Sequence, residues 1–545
     1  MENWILGIIS ACIVAGYFYK TALYKQKKTV GDLWKQNKYE MAVAGVFFVG
    51  FLCRLLFIRT MPAGLNQDEA SIGYEAYAVL KYGMDRNGIS VPVHFIAWGS
   101  GQNALYAYLA MPFIAIFGLN EFSLRLPMAL IGCLAIAAFY HLLKNITGKK
   151  ETLLGTLIFA LAPWHIMKSR WALESNLFPD LILFFVTLFV IGLKKKNKKY
   201  YYGAFVILAL STYSYGTSYF FVPVFLAAVL LYVVVTKKAD WKEFIGPCVM
   251  LAVLVLPMML FVMINTFDME QIKIGFITIP RLYVSRHTEI SSVFSADFLN
   301  NFKGNMAHSL GILMKGEDGL PWNSLSAYGI CYQFSLLFFV IGIVESISKT
   351  EWLKSKYMMN IWGITAFLMM GIVDPNINRL NAAWIPMIYF IAVGAMACVR
   401  HSKVILGTVV AAYLAGFLLF QNEYRTDFQE NIGAYFFESF GDAIKLADEK
   451  NTNIVYVTNE VNQPYIFTLF YDKISPKEYR ENVTFASQYS AFEQISSYGK
   501  YCFYIPETID DPNAAYIMSC EQASVLDPNQ YDITNLKRYS VVTLR

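Results

Sequence analysis

Long apolar stretches that are almost free of acidic and basic residues alternate with short polar segments along this chain. A helix that crosses the hydrocarbon core of a bilayer needs about 20 apolar residues. One stretch is too long for a single crossing and is interrupted by the polar run 211–216. We therefore predict about twelve membrane-spanning helices. The stretches lie at 3–19, 41–53, 126–143, 152–167, 175–193, 200–236, 244–267, 328–344, 357–373, 380–399 and 404–422.

Composition agrees with this pattern. The chain has 545 residues, of which 56% are hydrophobic and only 16% are charged, whereas about 25% of residues in soluble domains are charged. The formal net charge of +5 does not indicate nucleic-acid binding, because the basic residues form short clusters between the predicted helices. The predicted fold class is a polytopic α-helical membrane protein.

The basic clusters also predict an orientation. They fall in every second loop, and short loops rich in Lys and Arg favour the cytoplasmic side of a membrane. The clusters run from Lys20 to Lys38, Lys144 to Lys150, Lys194 to Lys199, Lys237 to Lys242, Lys349 to Lys356 and Arg400 to Lys403. The N-terminus and everything after about residue 420 are then extracytoplasmic. A cleaved signal peptide is the alternative for the first helix, which lacks the basic start of such peptides.

This assignment divides the chain into two parts. Residues 1–420 form a membrane domain with two structured outer loops, 60–122 and 266–327, and residues 421–545 form a small extracytoplasmic α/β domain. In the first loop, Asn66 and Asp68 are suitable caps for a helix over about 69–82. The aromatic run from Ala104 to Phe117 predicts a helix that lies in the membrane interface.

Strands and helices are also predicted in the tail. Strands are expected at 453–458, 501–505 and 539–543, and helices at 434–449, 463–471 and 514–518.

Only two of the eight cysteines, Cys502 and Cys520, lie outside the predicted helices. Extracytoplasmic compartments permit disulfides, so we predict a disulfide between them, with two buried free thiols as the alternative. No cysteine spacing typical of a metal site is present.

The adjacent carboxylates Asp68 and Glu69 follow a predicted membrane helix by a few residues. The structural interpretation is that Asp68 caps the next helix, whose N-terminus favours negative charge. The functional interpretation is that a carboxylate held at the membrane surface acts as a general base toward a hydroxyl group.

Further charged and aromatic residues lie on the predicted outer side. Lys168, Arg170 and Glu174 share one tight outer turn, where Arg suits phosphate binding because its planar fork donates two parallel hydrogen bonds. Snorkelling of the two basic side chains along the interface is the alternative. Arg125 and Arg379 begin or precede other membrane helices, and each could instead be a helix cap or half of an internal ion pair. Tyr215 belongs to an aromatic belt or to a sugar-stacking wall.

Several of these motifs together resemble a known superfamily. They are the acidic pair in the first outer loop, Arg125-Leu-Pro at the start of the next helix, the Arg170-x-x-x-Glu174 turn, and the small outer C-terminal domain. They resemble the GT-C glycosyltransferases, specifically the protein O-mannosyltransferase and aminoarabinose-transferase group and family 39 proteins of Gram-positive bacteria. The resemblance covers roughly residues 40–400, and the additional N-terminal helix departs from it.

The resemblance implies a multi-pass enzyme of the bacterial cell membrane with an extracytoplasmic active site. Its donor is expected to be a sugar on a polyprenyl phosphate, and its acceptor a protein, teichoic acid or glycolipid of the cell envelope. Asp68 maps to the general base of an inverting transfer, with Glu69 beside it. Arg170 and Arg379 are expected to face the phosphate, and Arg125 and Glu174 to order the loop or the sugar. A metal is not required by this resemblance, and no clear metal site is visible.

Two other classes of function remain compatible with the sequence. A transporter or lipid flippase fits twelve helices, although no internal repeat is apparent, and many transporters carry one. A non-catalytic subunit of envelope assembly is the second, and in it Asp68 would serve only as a helix cap. Both interpretations are distinguished from an enzyme by sugar release from a labelled donor.

Overall fold

A computed structural model describes residues 2–18, 38–284, 297–348, 357–400 and 402–545. In chain order the α-helices are α1 (Glu2–Phe18), α2 (Lys38–Leu55), α3 (Gln67–Tyr82), α4 (Leu105–Phe117), α5 (Glu121–Ile146), α6 (Lys149–Leu161), α7 (Pro163–Lys168), α8 (Phe178–Lys195), α9 (Lys198–Ser211), α10 (Ser218–Thr236), α11 (Ile245–Thr266), α12 (Phe298–Lys315), α13 (Ser335–Ser348), α14 (Tyr357–Ile372), α15 (Trp384–Val399), α16 (Lys403–Arg425), α17 (Asp427–Tyr435), α18 (Phe440–Glu449), α19 (Pro464–Asp472), α20 (Pro476–Asn482) and α21 (Cys520–Ala523).

Six segments within the described ranges are long and apolar enough to cross a membrane, judged by length and composition. They are Glu121–Ile146, Glu174–Lys195, Ser218–Thr236, Trp241–Thr266, Asn381–Val399 and Lys403–Arg425. The other predicted stretches also contain helices, which are shorter or less apolar: α1, α2, α6, α9, α13 and α14. The chain is a polytopic helical membrane protein, as the hydrophobic pattern predicted. The number of twelve crossings stays a prediction.

The membrane helices enclose one large apolar core. Helix α5 packs against α2, α6 and α8, and α15 packs along α13. The faces that point away from this core are strongly apolar, as on α11, where Val253 is 64% exposed. Such exposure is expected of a surface that contacts lipid chains. Two of the basic clusters, Lys20 to Lys38 and Lys349 to Lys356, lie almost wholly outside the described residues.

The first predicted outer loop, residues 60–122, is structured. Helix α3 covers the predicted helix and starts two residues earlier, and α4 covers the predicted interfacial segment. Strands β1 (His94–Phe95) and β2 (Gln102–Asn103) form a short antiparallel hairpin between these helices. In the second outer loop, β3 (Ile272–Ile274) and β4 (Ile277–Ile279) form another hairpin, and α12 follows. Residues 285–296 of this loop lie outside the described part.

The C-terminal part contains a mixed seven-stranded sheet. Its strands are β5 (Ile454–Val457), β6 (Thr484–Ser487), β7 (Gln494–Tyr498), β8 (Tyr501–Cys502), β9 (Ala514–Ser519), β10 (Tyr531–Asn535) and β11 (Tyr539–Leu544). The order across the sheet is β10-β11-β9-β5-β8-β7-β6, with β5 parallel to both of its neighbours. Helices α18 and α19 pack together, and α18 also packs on the sheet. The predicted strands near 454, 501 and 539 are confirmed.

The sheet domain does not stand apart from the membrane domain. One continuous apolar core contains Ile72 and Tyr106 of the first outer loop together with Phe467 and Val541 of the C-terminal part. The hydroxyl of Tyr74 donates to the carbonyl of Ile474 at 2.7 Å across this boundary. The boundary near residue 421, inferred from the end of the last apolar stretch, therefore separates two segments that share a core.

The predicted disulfide between Cys502 and Cys520 is wrong, since both thiols are free. Residues 514–518, predicted as a helix, form the buried strand β9 beside β5. Cys502 ends β8 on the other side of β5, so β8 and β9 are two strand spacings apart, about 10 Å. Disulfides need Cα atoms within about 7 Å of each other. Burial between two neighbouring strands overrode the helix propensity of Ala and Met in this segment.

Candidate active site

Asp68 lies in the first turn of α3, but it is not the residue that caps this helix. The side chain of Asn66 accepts from the backbone N–H of Asp68 at 2.9 Å, and Asn66 and Glu69 form a reciprocal capping box. The N-terminus of α3 is therefore satisfied without the Asp68 carboxylate. This side chain is only half-buried, so it is available for another purpose.

The surroundings of Asp68 raise the pKa of its carboxyl group. Burial raises the pKa of the Asp68 carboxyl to about 6, while a hydrogen bond from the Trp98 side chain opposes this rise and the charge of Glu69 adds to it. A carboxyl group with a pKa of about 6 is mostly ionised at neutral pH, yet it is more basic than an ordinary aspartate. These are the properties of an effective general base.

Three more side chains from distant parts of the sequence meet Asp68. Glu174 lies near enough for its charge to interact with that of Asp68, and Gln102 forms a hydrogen bond with Glu174. Gln102 also donates from Nε2 to the carbonyl of Asp68 at 3.4 Å. Tyr215 interacts with both acids and forms a hydrogen bond with Arg379. The structure thus brings four predicted residues together around one space: Asp68, Glu174, Tyr215 and Arg379.

Arg379 supplies positive charge at this space. It is 17% exposed and pairs with Asp374 through Nη1. Burial raises the pKa of Tyr215 to about 12, and the charge of Arg379 opposes this rise. Tyr215 therefore carries a proton at neutral pH and is a hydrogen-bond donor.

Several buried polar atoms on these residues, or within two positions of them along the chain, have no hydrogen-bond partner among the described residues. They are Gln102 Oε1, Glu174 Oε2, Ser175 Oγ, Thr217 Oγ1 and Asn381 Oδ1. Asn381 and Ser175 are joined directly, because Asn381 Nδ2 donates to the Ser175 carbonyl at 2.6 Å. More than nine in ten buried polar groups in proteins are satisfied. Unsatisfied atoms of this kind are able to form hydrogen bonds with a ligand.

Glu69 and Arg125 occupy positions that differ from those expected of substrate-binding residues. Both side chains are fully buried, and they form a bidentate pair with distances of 2.9 Å and 2.8 Å. Arg125 also donates to the carbonyls of Pro62 and Gly64, and Glu69 Oε1 accepts from the backbone of Ala172 at 2.8 Å. The pair therefore joins the outer loop that carries Asp68 to the turn that carries Glu174. Arg125 is therefore half of an internal ion pair, which was the alternative interpretation of this residue.

Arg170 also differs from its expected position facing a phosphate. It is 3% exposed, and its terminal nitrogens donate to the carbonyls of Cys53 at 2.5 Å and Leu56 at 2.7 Å. These carbonyls lie at the C-terminal end of α2, where the final four carbonyls of a helix lack partners within the helix. In this structure Arg170 holds the end of α2 and does not present an open fork to a ligand.

A buried charge cluster beneath the pocket was not recognised as a unit from the sequence. Asp180 Oδ2 pairs with Lys168 Nζ at 2.5 Å, and Asp180 Oδ1 lies 3.1 Å from His165 Nε2. Arg54 Nη2 lies 2.8 Å from His165 Nδ1. Because a guanidinium only donates, His165 Nδ1 must accept, and the ring proton on Nε2 is directed at Asp180. The signal in the sequence was Asp180, an acid inside an apolar stretch. Lys168 is buried, so the snorkelling interpretation is wrong for this residue.

Metal-ligating side chains are not concentrated in the described part of the chain. Within those residues, no group of three or more His, Cys, Asp or Glu side chains is placed to hold a metal ion. Asp68 and Glu174 are the two acids that face the pocket together.

The architecture is that of a polytopic membrane protein in which the segment between α2 and α5 shares an apolar core with the C-terminal sheet. A family model described as "Dolichyl-phosphate-mannose-protein mannosyltransferase" matches residues 103–264. No curated protein sequence matches the chain.

One solved protein, in two states, shares the fold across almost the whole chain. ArnT from Cupriavidus metallidurans bound to undecaprenyl phosphate aligns with a TM-score of 0.54 at 13% identity, and its apo form with 0.52 at 14% identity. Each alignment covers 92% of this chain and 97% of the other. The oligosaccharyltransferase AglB from Archaeoglobus fulgidus aligns with a TM-score of 0.46 at 13% identity, over 80% of this chain and 64% of that one. The family match over residues 103–264 and the ArnT-like fold agree with the resemblance to GT-C glycosyltransferases that the sequence motifs indicated.

Proposed function

We propose that this protein is a membrane glycosyltransferase that transfers a sugar from a polyprenyl-phosphate donor to a hydroxyl group of a cell-envelope acceptor. The observation that carries the proposal is the convergence of Asp68, Glu174, Tyr215 and Arg379 on one pocket with unsatisfied polar atoms. The ArnT structure with a similar fold holds undecaprenyl phosphate, which supports a donor of that lipid class.

The proposed reaction is a single displacement. The acceptor oxygen attacks the anomeric carbon while Asp68 takes the hydroxyl proton, and the bond from that carbon to the phosphate oxygen breaks. The electron pair leaves with the polyprenyl phosphate, a phosphate monoester whose second pKa is about 6. A strong acid is therefore unnecessary, and the attack from the opposite side inverts the anomeric centre.

The structure supports a revised distribution of roles among the predicted residues. Arg379 carries a charge at the pocket and is the proposed partner of the leaving phosphate. Glu174, Tyr215 and the unsatisfied side chains near them are proposed to hold the sugar hydroxyls. Glu69, Arg125 and Arg170 are proposed to act indirectly, because their charged groups are already bonded to other parts of the protein.

We also propose that the pocket is extracytoplasmic, as the alternation of basic clusters predicts. Helices α8 and α10 both begin near the pocket and end at Lys195 and Thr236, next to the basic segments 194–199 and 237–242. The pocket and these basic segments are therefore at opposite ends of the same helices. Thiol labelling of introduced surface cysteines at 442 and 199 tests this: only the cysteine at 442 should react with an impermeant reagent in intact cells.

The decisive experiment supplies detergent-purified protein with a panel of radiolabelled polyprenyl-phosphate sugars and measures sugar release to water and to extracted envelope acceptors. An enzyme releases or transfers label in a time-dependent manner, and Asp68→Asn does not. A flippase or a non-catalytic subunit leaves every donor intact. Intact donor in the entire panel, with binding shown for at least one member, would contradict the proposed activity.

A further inference from the structure

The hairpin β1–β2 lies between Asp68 and the C-terminal sheet domain. Its second strand contributes Gln102, which donates to the carbonyl of Asp68 at 3.4 Å. Its connecting segment, residues 96–101, contributes Trp98, whose side chain lies close enough to the Asp68 carboxyl to oppose the rise in its pKa. The hairpin therefore contacts Asp68 through two side chains, from its strand and from its tip.

The tip of this hairpin is held from the opposite side by the C-terminal domain. The backbone N–H of Glu493 donates to the carbonyl of Trp98 at 2.8 Å, and Gly99 lies opposite Phe492 in an antiparallel bridge. The second outer loop adds to this, because the backbone N–H groups of Tyr283 and Val284 both donate to the carbonyl of Gly99 at 3.1 Å. The backbone around Trp98 is thus tied to two other segments.

The indole ring of Trp98 is held by a buried cation. The guanidinium of Arg86 lies 4.9 Å from the centre of this ring, and it pairs with Glu75 of α3 at 2.6 Å. Arg86 Nη1 also donates to the hydroxyl of Tyr465, on α19 of the C-terminal domain, at 3.2 Å. A cation over the face of an aromatic ring is attracted by the ring quadrupole, and burial strengthens this attraction. The ring orientation therefore depends on α3 and on the C-terminal domain together.

We propose that Trp98 is a positioning residue for the Asp68 carboxylate and that the C-terminal domain, by clasping the 94–103 hairpin, forms part of the active site. This inference rests on the proposed function, since it assigns the domain a role in the same reaction. It also explains why the sheet domain shares its core with the first outer loop. The domain orders the loop that carries the base and its hydrogen-bond donor.

The first test replaces the donor group and keeps an aromatic ring. Trp98→Phe removes the indole N–H, so the ionised form of Asp68 loses a stabilising hydrogen bond and its pKa rises. We expect sugar release from the donor to show a kcat about tenfold lower, a KM within about twofold of wild type, and an acidic limb of the pH–rate profile at higher pH. Trp241→Phe, at the other end of the membrane helices, is the matched control and should change none of these quantities.

The second test displaces the hairpin tip. A Cβ at Gly99 would lie 2.1 Å from the carbonyl oxygen of Ser490, and the φ of Gly99 is +105°. Gly99→Ala should therefore push the tip away from the C-terminal domain and shift the acidic limb in the same direction as Trp98→Phe. Gly118→Ala has a comparable backbone penalty, with φ +74° but nothing within 4 Å of its Cβ, and should leave the limb unshifted.

The outcomes separate this inference from the proposed function. A wild-type protein that leaves every polyprenyl-phosphate sugar intact overturns the proposed function, and this inference with it. Active wild type together with an unshifted acidic limb in folded Trp98→Phe overturns only the positioning role. Gly99→Ala could instead give a lower yield of folded protein while the acidic limb of its pH–rate profile stays at the wild-type pH. This result would mean that the C-terminal domain serves stability alone, which also contradicts the inference.

Discussion

Two polar regions of the membrane domain lie close together in sequence and differ in how their hydrogen bonds are satisfied. In the cluster of Arg54, His165, Lys168 and Asp180, each charged group has a protein partner. In the pocket around Asp68, five side-chain atoms have no partner among the described residues. A satisfied buried network holds helices in place, whereas an unsatisfied one is complete only when a ligand supplies the missing bonds.

The charges of the two regions support the same distinction. The cluster holds two basic side chains, His165 and one carboxylate, and Arg54 Nη1 also donates to the carbonyls of Gly50 and Ala160. The pocket has two neighbouring carboxylates and Arg379, which is bonded to the partly exposed Asp374. Buried charge is therefore a weak indicator of function on its own, and accessibility to a ligand is the more useful criterion.

The largest expected effect is on activity in the pocket. Asp68→Asn should lower turnover with the labelled donor by about 10²–10⁴-fold, the usual contribution of general-base catalysis. Folding should be retained, because Asn66 supplies the helix cap. Asp442→Asn, on the exposed face of the first turn of α18, is the control. Turnover of Asp68→Asn near that of wild type would mean that the base lies elsewhere, with Glu174 as the next residue to substitute.

The corresponding change in the cluster should affect stability. Asp180→Asn leaves Lys168 buried without its counter-ion, and breaking a buried pair in this way costs about 3–5 kcal/mol. Thermal unfolding in detergent should show a clearly lower midpoint, while turnover per folded molecule changes little. The control is Asp532→Asn, whose exposed pair with Lys450 should contribute less than about 1 kcal/mol. Wild-type thermal stability in Asp180→Asn would contradict a structural role for the cluster.

The pH dependence of the reaction sharpens the comparison further. Asp68 must be deprotonated to act as a base, and its pKa is raised to about 6. We expect kcat/KM to fall about tenfold per pH unit below this value and to level off above it. Steady-state rates between pH 4.5 and 8 measure this acidic limb of the pH–rate profile. A profile flat down to pH 4.5 would exclude a base with the raised pKa described here.

The smallest effects are expected from single hydroxyl groups. Thr217→Val removes an atom that has no protein partner, so stability should be unchanged while donor binding weakens by about three- to tenfold, the contribution of one hydrogen bond. Thr468→Val removes a hydroxyl that is bonded to Tyr498 and to a backbone carbonyl in the C-terminal domain. It should show the reverse pattern, with a lower unfolding midpoint and unchanged donor binding. Equal binding by wild type and Thr217→Val would place Thr217 outside the pocket.

The sequence by itself determined the class of protein and the main acidic residue. Apolar stretches of membrane-spanning length can be satisfied only by helices in a bilayer, so the polytopic architecture followed directly. Asp68 was identified because an acidic pair after a membrane helix is unusual, and Glu174, Tyr215 and Arg379 because they are polar groups at the ends of apolar segments. Four residues chosen for local reasons meet in one pocket.

Only the tertiary structure separated the residues that we propose to face a ligand from internal ones. Arg170 and Arg379 look alike in sequence, yet both terminal nitrogens of Arg170 are bonded to carbonyls at the end of α2, whereas Arg379 lies beside Tyr215. Gln102 and Trp98 carried no local signal, because their roles arise from a hairpin whose tip is bonded about 390 residues later in the chain. The strand order that separates Cys502 from Cys520 is equally non-local. Whether a buried polar side chain finds a hydrogen-bond partner depends on which segments pack against it. The whole fold decides which segments these are, so the local sequence cannot show it.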